Sequence, residues 1–390
     1  MMRHFGFLDD EHRARLFHVP PTDLSLASDP ALLAVALGAT LYSPGIRSSL
    51  ADDVRKQAAR GALSMVLCLE DSVPDDRVPE AERNVVQALA DLQESGDGAL
   101  LQLFVRVRTP EQLRFVADAA GDSLGVLSGF VVPKFENEDG YALRFLDALH
   151  DAQASRPSGA PRLRIMPILE SPSMVHSETR TDALSRIGDV LRDHRDDVLA
   201  VRIGATDLSS AYGLRRSRDL TIYDVKVVSA VIGDIVNVLG RRDGGYVISG
   251  PVWEHFADTE RILRPQLRLT PFVEASDEEL RRRILLANVD GLIREITLDQ
   301  ANGLVGKTVI HPSHVPVVHA LSVVSHEEYL DAQAIVGRTG GGAAASPYGN
   351  KMNEMKPHQA WATKTLLRAE AFGVAASTAT FVDLLEASMR

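Results

Sequence analysis

Eight short apolar runs rich in Val, Ile and Leu recur along the chain, separated by longer stretches of helical periodicity, and this alternation restricts the fold more than any other feature. The runs are Thr40–Tyr42, Met65–Leu69, Leu101–Val107, Gly129–Pro133, Leu163–Leu169, Val198–Ile203, Tyr246–Ser249 and Gly306–Ile310. Strands covered by helices on both faces lose the alternation of a half-exposed strand and read as continuous apolar segments. Between the runs lie amphipathic stretches such as Pro79–Leu92, in which Ala81, Val85, Val86 and Leu89 repeat at helical spacing. Eight strands alternating with helices predict a closed (β/α)8 TIM barrel over residues 36–322, because open doubly wound sheets more often hold about five to seven strands.

Two regions fall outside the alternation. Residues 1–35 form an N-terminal extension in which His18-Val19-Pro20-Pro21 precludes a continuous helix. Residues 323–390 form a C-terminal helical segment interrupted by Arg338-Thr339-Gly340-Gly341-Gly342. That glycine-rich stretch is flexible by composition, so the residues beyond it are free to contact a neighbouring subunit. With 390 residues, 45% of them apolar, the chain buries a core that needs neither disulfide nor structural metal. The lone cysteine, Cys68, lies within an apolar run and reads as a buried structural thiol, consistent with a reducing compartment. The net charge of −11 argues against nucleic-acid binding, though not against a small anionic substrate. No run reaches the roughly 18 apolar residues of a membrane span. Ala31–Leu37 comes after acidic residues and reads as a core helix, so a cytoplasmic location is expected.

Barrel enzymes carry their chemistry at the C-terminal ends of the strands. Glu70, Asp71, Arg106, Arg108, Lys134, Glu170 and Asp207 all stand at or just beyond predicted strand ends. Glu170 ends an apolar run in which an ionised carboxylate is costly unless paired or metal-bound. Asp207 comes after the next strand, and neighbouring strands lie about 4.8 Å apart. The two could therefore share one Mg2+ or Mn2+. They serve equally well as caps of the helices next in the chain. Arg106 and Arg108 share strand parity, which turns both toward the barrel axis, where an arginine can hold a carboxylate or an enolate oxygen. A salt bridge to Glu70 or Asp71 is the competing role for Arg106. Lys134 reads equally as a surface residue, and His311 reads as structural. No zinc-hydrolase spacing, CxxC or dinucleotide glycine motif is present.

In order along the chain, Leu41-Tyr42-Ser43-Pro44-Gly45, Leu69-Glu70-Asp71-Ser72-Val73, Val105-Arg106-Val107, Val132-Pro133-Lys134, Leu169-Glu170-Ser171, Gly204-Ala205-Thr206-Asp207-Leu208 and Gly306–Pro312 resemble motifs of the citrate lyase beta subunit and HpcH/HpaI aldolase family. Lys351-Met352-Asn353-Glu354 resembles that family's closing segment. The chain looks most like the divergent carbon–carbon-bond lyase branch found with tellurium-resistance genes. The resemblance implies a magnesium-dependent barrel acting on a carboxylated substrate, often a CoA thioester, and assembled as a trimer or hexamer. It assigns Glu170 and Asp207 to the metal, Arg106 to the substrate oxygen, and Glu70 and Asp71 to an acidic pair lining the site. Arg108, Lys134, Gly204, Ala205 and Thr206 become substrate-binding positions, and Glu354 falls where relatives place an aspartate that enters a neighbouring active site. Gly38-Ala39 stand where relatives carry an Arg-Ser pair associated with CoA, and Arg108 and Glu354 replace an asparagine and an aspartate.

These features point to a Mg2+-dependent lyase or aldolase in which retro-aldol cleavage leaves an enolate stabilised by the ion and Arg106. Glu354 of a neighbouring subunit or a water on the ion is the expected base. A thioesterase or condensing synthase on the same constellation is the alternative. A non-catalytic metabolite-binding or scaffold role in a stress-response cluster is the third possibility.

Overall fold

The computed structural model describes residues 2–156, 159–256, 289–338 and 340–389. Thr339 of the glycine-rich loop lies outside the described residues. A short strand β1 (Phe17–Val19) precedes the eight expected strands: β2 (Ala39–Pro44), β3 (Ser64–Cys68), β4 (Gln102–Arg106), β5 (Gly129–Val132), β6 (Arg164–Leu169), β7 (Val201–Ile203), β8 (Ile248–Trp253) and β9 (Lys307–Val309). They are parallel, pair in sequence order, and close where β2 meets β9 with Ala39 opposite Lys307. The helices Leu50–Ala59, Val78–Glu94, Pro110–Ala120, Tyr141–Ala154, Ser177–Asp193 and Lys226–Leu239 pack outside, so the predicted (β/α)8 barrel is the fold.

Strand parity sorts the core into two parts. Met65, Leu67, Leu103, Val105, Ile165, Leu169 and Val201 turn outward against the helices. Val66, Phe104, Val131, Met166 and Ile168 fill the barrel itself with Leu33, Ala34 and Leu37. Those last three belong to the segment around helix Pro30–Ala36, which starts where Asp29 accepts the Ala31 and Leu32 amides and Pro30 supplies the first turn. Gln102 Nε2 donates to Leu33 O at 3.1 Å and Ser64 Oγ to Leu37 O at 2.6 Å, so this segment plugs the N-terminal end of the barrel. The opposite rim is left for function.

One strand runs further than its apolar pattern indicates. β8 continues through Gly250-Pro251 to Trp253, with a register shift against β9 between Gly250 and Trp253. A Cβ on Gly250 would meet Asp299 Oδ2 at 2.6 Å. That carboxylate belongs to a buried ionic group in which Lys307 Nζ reaches Glu295 at 2.9 Å and Asp299 at 2.7 Å, Arg216 pairs with Glu295, and the Tyr223 hydroxyl donates to Asp299. The group ties the segment after β7 to β9 and to helix Asp290–Ala301.

The C-terminal segment adds helix His326–Val336, a hairpin of β10 (Ala343–Ala345) and β11 (Met352–Glu354), helix Met355–Phe372 and β12 (Val374–Ala375). β1 pairs antiparallel with β12, and Met2 bridges Leu24, so the chain's two ends pack together against helix Val315–Ser322. No helix among the described residues is long and apolar enough to cross a membrane.

His4 and His319 lie within this junction, buried edge to face at 4.4 Å. His4 Nε2 bonds Ala36 O at 2.9 Å, and the Ala39 amide donates to His319 Nε2. Burial lowers the His4 pKa from 6.5 to about 3 and holds His319 well below its usual value. Because the folded pKa is depressed, the stabilisation is complete above pH 6.5 and is lost as pH falls toward about 3. The cost for each such imidazole is up to about 1.4 kcal/mol per pH unit. His4→Gln, which keeps a donor but cannot titrate, should lose urea stability less steeply than wild type over that window. An identical slope in both proteins would show that His4 is not held neutral.

Candidate active site

The inward parity of β4 and β6 carries Arg106, the last residue of β4, and Glu170, just past β6, to the open rim. There Arg106 Nη2 lies 2.7 Å from Glu70 Oε2, 3.2 Å from Asp71 Oδ2 and 3.2 Å from Glu170 Oε1. The Lys134 amide donates to the same Glu170 oxygen at 3.1 Å, and Lys134 Nζ reaches Glu70 Oε1 at 3.2 Å. To do both, Lys134 adopts φ 48°, a left-handed conformation that costs a non-glycine residue energy and collects at functional sites. The site is thus held from the backbone as well as from side chains.

Glu170 has a side chain only 2% exposed. A Cβ on Gly204 would lie 1.9 Å from Glu170 Oε2, so the carboxylate occupies the space that any other residue at 204 would fill. Burial pushes the Glu170 pKa up to about 7, with Arg106 opposing the shift and the negative charge of Asp207 adding to it. Asp207, in the first turn of helix Ala205–Ser210, is half-exposed, and its side chain makes no hydrogen bond or ion pair among the described residues. It does not cap that helix, whose N-cap, Gly204, has no side-chain bond. Glu70 is likewise pushed up by burial, whereas its neighbour Asp71, in contact with Glu70 and Arg106, is held below the usual carboxylate range despite partial burial.

The rim therefore sets Glu70, Asp71, Glu170 and Asp207 against Arg106 and Lys134. With all four carboxylates ionised two negative charges are left over, which a single divalent cation neutralises. A buried carboxylate at raised pKa beside an unpartnered one is a hard, all-oxygen donor set with open positions, and it fits Mg2+ or Mn2+.

The other expected residues take different places. Arg108 does not face the axis with Arg106. β4 ends at Arg106, so strand alternation lapses, and Arg108 instead donates to Leu69 O at 2.7 Å, Glu70 O at 3.2 Å and Val73 O at 2.6 Å while pairing with Asp75. It pins the loop that carries Glu70 and Asp71. Thr206 is exposed and donates to Glu254 at 3.4 Å, and Ala205 is buried beneath it. Glu354 is at the end of β11 and shares no hydrogen bond or ion pair with the rim residues of its own chain among the described residues. His311 accepts from the Ser313 amide and stacks on Phe256 at 5.0 Å.

Three site residues escape a reading of the sequence. Glu254 comes directly after β8, whose length the Gly250-Pro251 pair conceals. Tyr42, half-buried on β2, lies close enough to Arg106, Arg202 and Glu170 for their charges to act on its hydroxyl. Arg202 on β7 is 1% exposed and has no carboxylate partner among the described residues. It donates to Thr40 and Thr308, and its guanidinium carbon is 5.5 Å from the Tyr42 ring centroid. An arginine inside the run Val198–Ile203, at the parity of Gly204, is the signal that could have found it.

Several known proteins are similar to this chain. L-malyl-CoA/beta-methylmalyl-CoA lyase of Rhodobacter capsulatus is 24% identical over 312 residues, which cover 76% of this chain and 82% of the relative. A citrate lyase from Burkholderia xenovorans LB400 superposes with a TM-score of 0.62 at 16% identity, covering 91% of this chain and 98% of the other. CitE from Mycobacterium tuberculosis, in complex with magnesium, acetoacetate and coenzyme A, superposes with a TM-score of 0.52 at 19% identity, covering 86% and 99%. The model of one family, the C–C bond lyases of the TIM-barrel fold, matches residues 31–374, and the chain belongs to that family.

Proposed function

We propose that the chain is a Mg2+-dependent carbon–carbon lyase that cleaves a small carboxylated substrate, with Glu170 and Asp207 as its metal ligands. The observation that carries this reading is the two-charge excess of carboxylate at the rim, with Glu170 buried and Asp207 unpartnered. Magnesium held there would supply a Lewis acid for the substrate's carboxylate and carbonyl oxygens. The remaining work falls to the chain's own groups. Arg106 is fixed by three carboxylates, so it offers a preorganised positive charge where an enolate oxygen would develop. A base takes the proton of the substrate hydroxyl, the C–C bond breaks, and its electrons move onto the oxygen that Arg106 faces. Arg108 and the Lys134 backbone hold the acidic pair and Glu170 in position. The malyl-CoA and citrate lyase relatives make a 3-hydroxy acid or its CoA thioester the substrate class to test first. Gly38 carries no side chain for CoA: its φ is +54° and a Cβ there would meet His319 Nε2 at 2.9 Å, so the arginine of the resembling pair has no counterpart at this position.

Calorimetric titration of Mg2+ into metal-free protein, with and without oxaloacetate, pyruvate or acetyl-CoA, tests the reading. Binding of Mg2+ is expected, tightened by the keto acid. Asp207→Asn should weaken Mg2+ by at least about 10-fold with an unchanged melting temperature. Equal affinity in that variant would remove Asp207 from the site. Release of free thiol without a keto product would identify a thioesterase instead.

The base is assigned to Glu354 of a neighbouring subunit in a cytoplasmic homo-oligomer. Glu354 ends a hairpin braced where Lys351 Nζ and Asn353 Nδ2 reach the buried Asp331 at 2.7 and 2.8 Å. Tyr348 and Met352 of this hairpin, and Val336 and Trp361 of the helices before and after it, are exposed apolar residues suited to a subunit contact. Mixing separately inactive Glu354→Gln and Asp207→Asn proteins under subunit exchange should restore part of the activity, because hybrid interfaces contain one intact site. No recovery, with exchange verified by mass, would place the base within the same chain.

A further inference from the structure

At the N-terminal end of the barrel wall, away from the rim, two imidazoles converge on one carboxylate. His150 is near the end of helix Tyr141–Ala154, and His194 and Asp197 share the turn between helix Ser177–Asp193 and β7. His150 Nε2 is 2.9 Å and His194 Nδ1 3.5 Å from the same oxygen, Asp197 Oδ2. Arg162 holds the other oxygen, Oδ1, at 2.6 Å, and the Asp197 amide donates to His194 O at 3.0 Å. The Asp197 side chain is 6% exposed against 45% for His150 and 28% for His194. A fixed carboxylate thus presents one oxygen to two solvent-accessible rings.

We propose that His150, His194 and Asp197 form a Zn2+ site that fastens helix Tyr141–Ala154 to the turn entering β7. One ligand atom from each residue falls within 4.8 Å of the others. A tetrahedral zinc with bonds of about 2.0–2.1 Å needs ligand atoms about 3.3 Å apart, a value that the 2.9 and 3.5 Å contacts bracket. Two imidazoles and one carboxylate form a borderline donor set that favours Zn2+ over Mg2+, the reverse of the all-oxygen rim. Arg162 is the outer partner that orients the ligating carboxylate. The open side of the rings leaves the fourth position to water. Asp197 is ionised well below neutral pH, since its imidazole and guanidinium partners outweigh its partial burial, so binding requires no proton from it.

The test uses untagged, chelator-treated full-length protein in excess Mg2+, titrated with Co2+ and followed by visible absorption, then displaced with Zn2+. One equivalent of Co2+ with intense tetrahedral bands is expected, and about 100-fold weaker binding in both His150→Gln and His194→Gln. Asp207→Asn should bind as wild type does, since it lies at the other end of the barrel. Both histidines are partly exposed, and circular dichroism melts check that the variants fold. Failure to take up one equivalent, or uptake that survives both histidine substitutions, overturns the site. The readout needs no substrate, so its failure is independent of the lyase reading.

Discussion

The functional end of the barrel depends on the position of one guanidinium. Arg106 closes β4 facing inward, and its Nη2 is in reach of Glu70, Asp71 and Glu170 at once. A buried charge left unpaired is costly, so Arg106 and the carboxylates fix one another. They do not cancel. With Asp207 added and Lys134 subtracted the rim keeps a negative excess, and that residual field gives a divalent cation a reason to bind.

The opposite end of the barrel makes this arrangement possible. The segment around helix Pro30–Ala36 seals the floor: Leu33, Ala34 and Leu37 pack on Val66, Phe104 and Met166, and Ser64 and Gln102 bond its carbonyls. Arg202 is a cation with no carboxylate partner among the described residues; it donates to the Thr40 and Thr308 hydroxyls and to Met166 Sδ. Its charge and that of Arg106 both act on Tyr42. The N-terminal extension braces the floor through β1 and β12, far from the rim.

Much of this was legible in the residues. All eight barrel strands overlap the apolar runs, β8 only at Ile248-Ser249, because a strand buried on both faces is mostly apolar whatever its neighbours are. Glu70, Asp71, Arg106, Lys134, Glu170 and Asp207 stood out because a charge at the end of such a run has few reasons to be there. Arg108 shows the limit of the same reasoning. Parity pairs it with Arg106, but parity holds only while the strand lasts, and β4 stops two residues earlier. Glu254 shows the converse, since Gly250-Pro251 reads as the end of a strand that in fact continues through a bulge.

The sequence by itself determined the barrel, its order and the identity of most rim charges, because these arise from local periodicity and from the cost of placing ions beside apolar runs. Tertiary structure decided which charges meet. The contacts of Arg106 with Glu70 and Glu170, the strained Lys134 backbone aimed at Glu170, the close approach of Glu170 to Gly204 and the meeting of His150 with His194 and Asp197 join residues distant along the chain. Their separations depend on barrel closure and strand stagger, and no spacing along the chain encodes them.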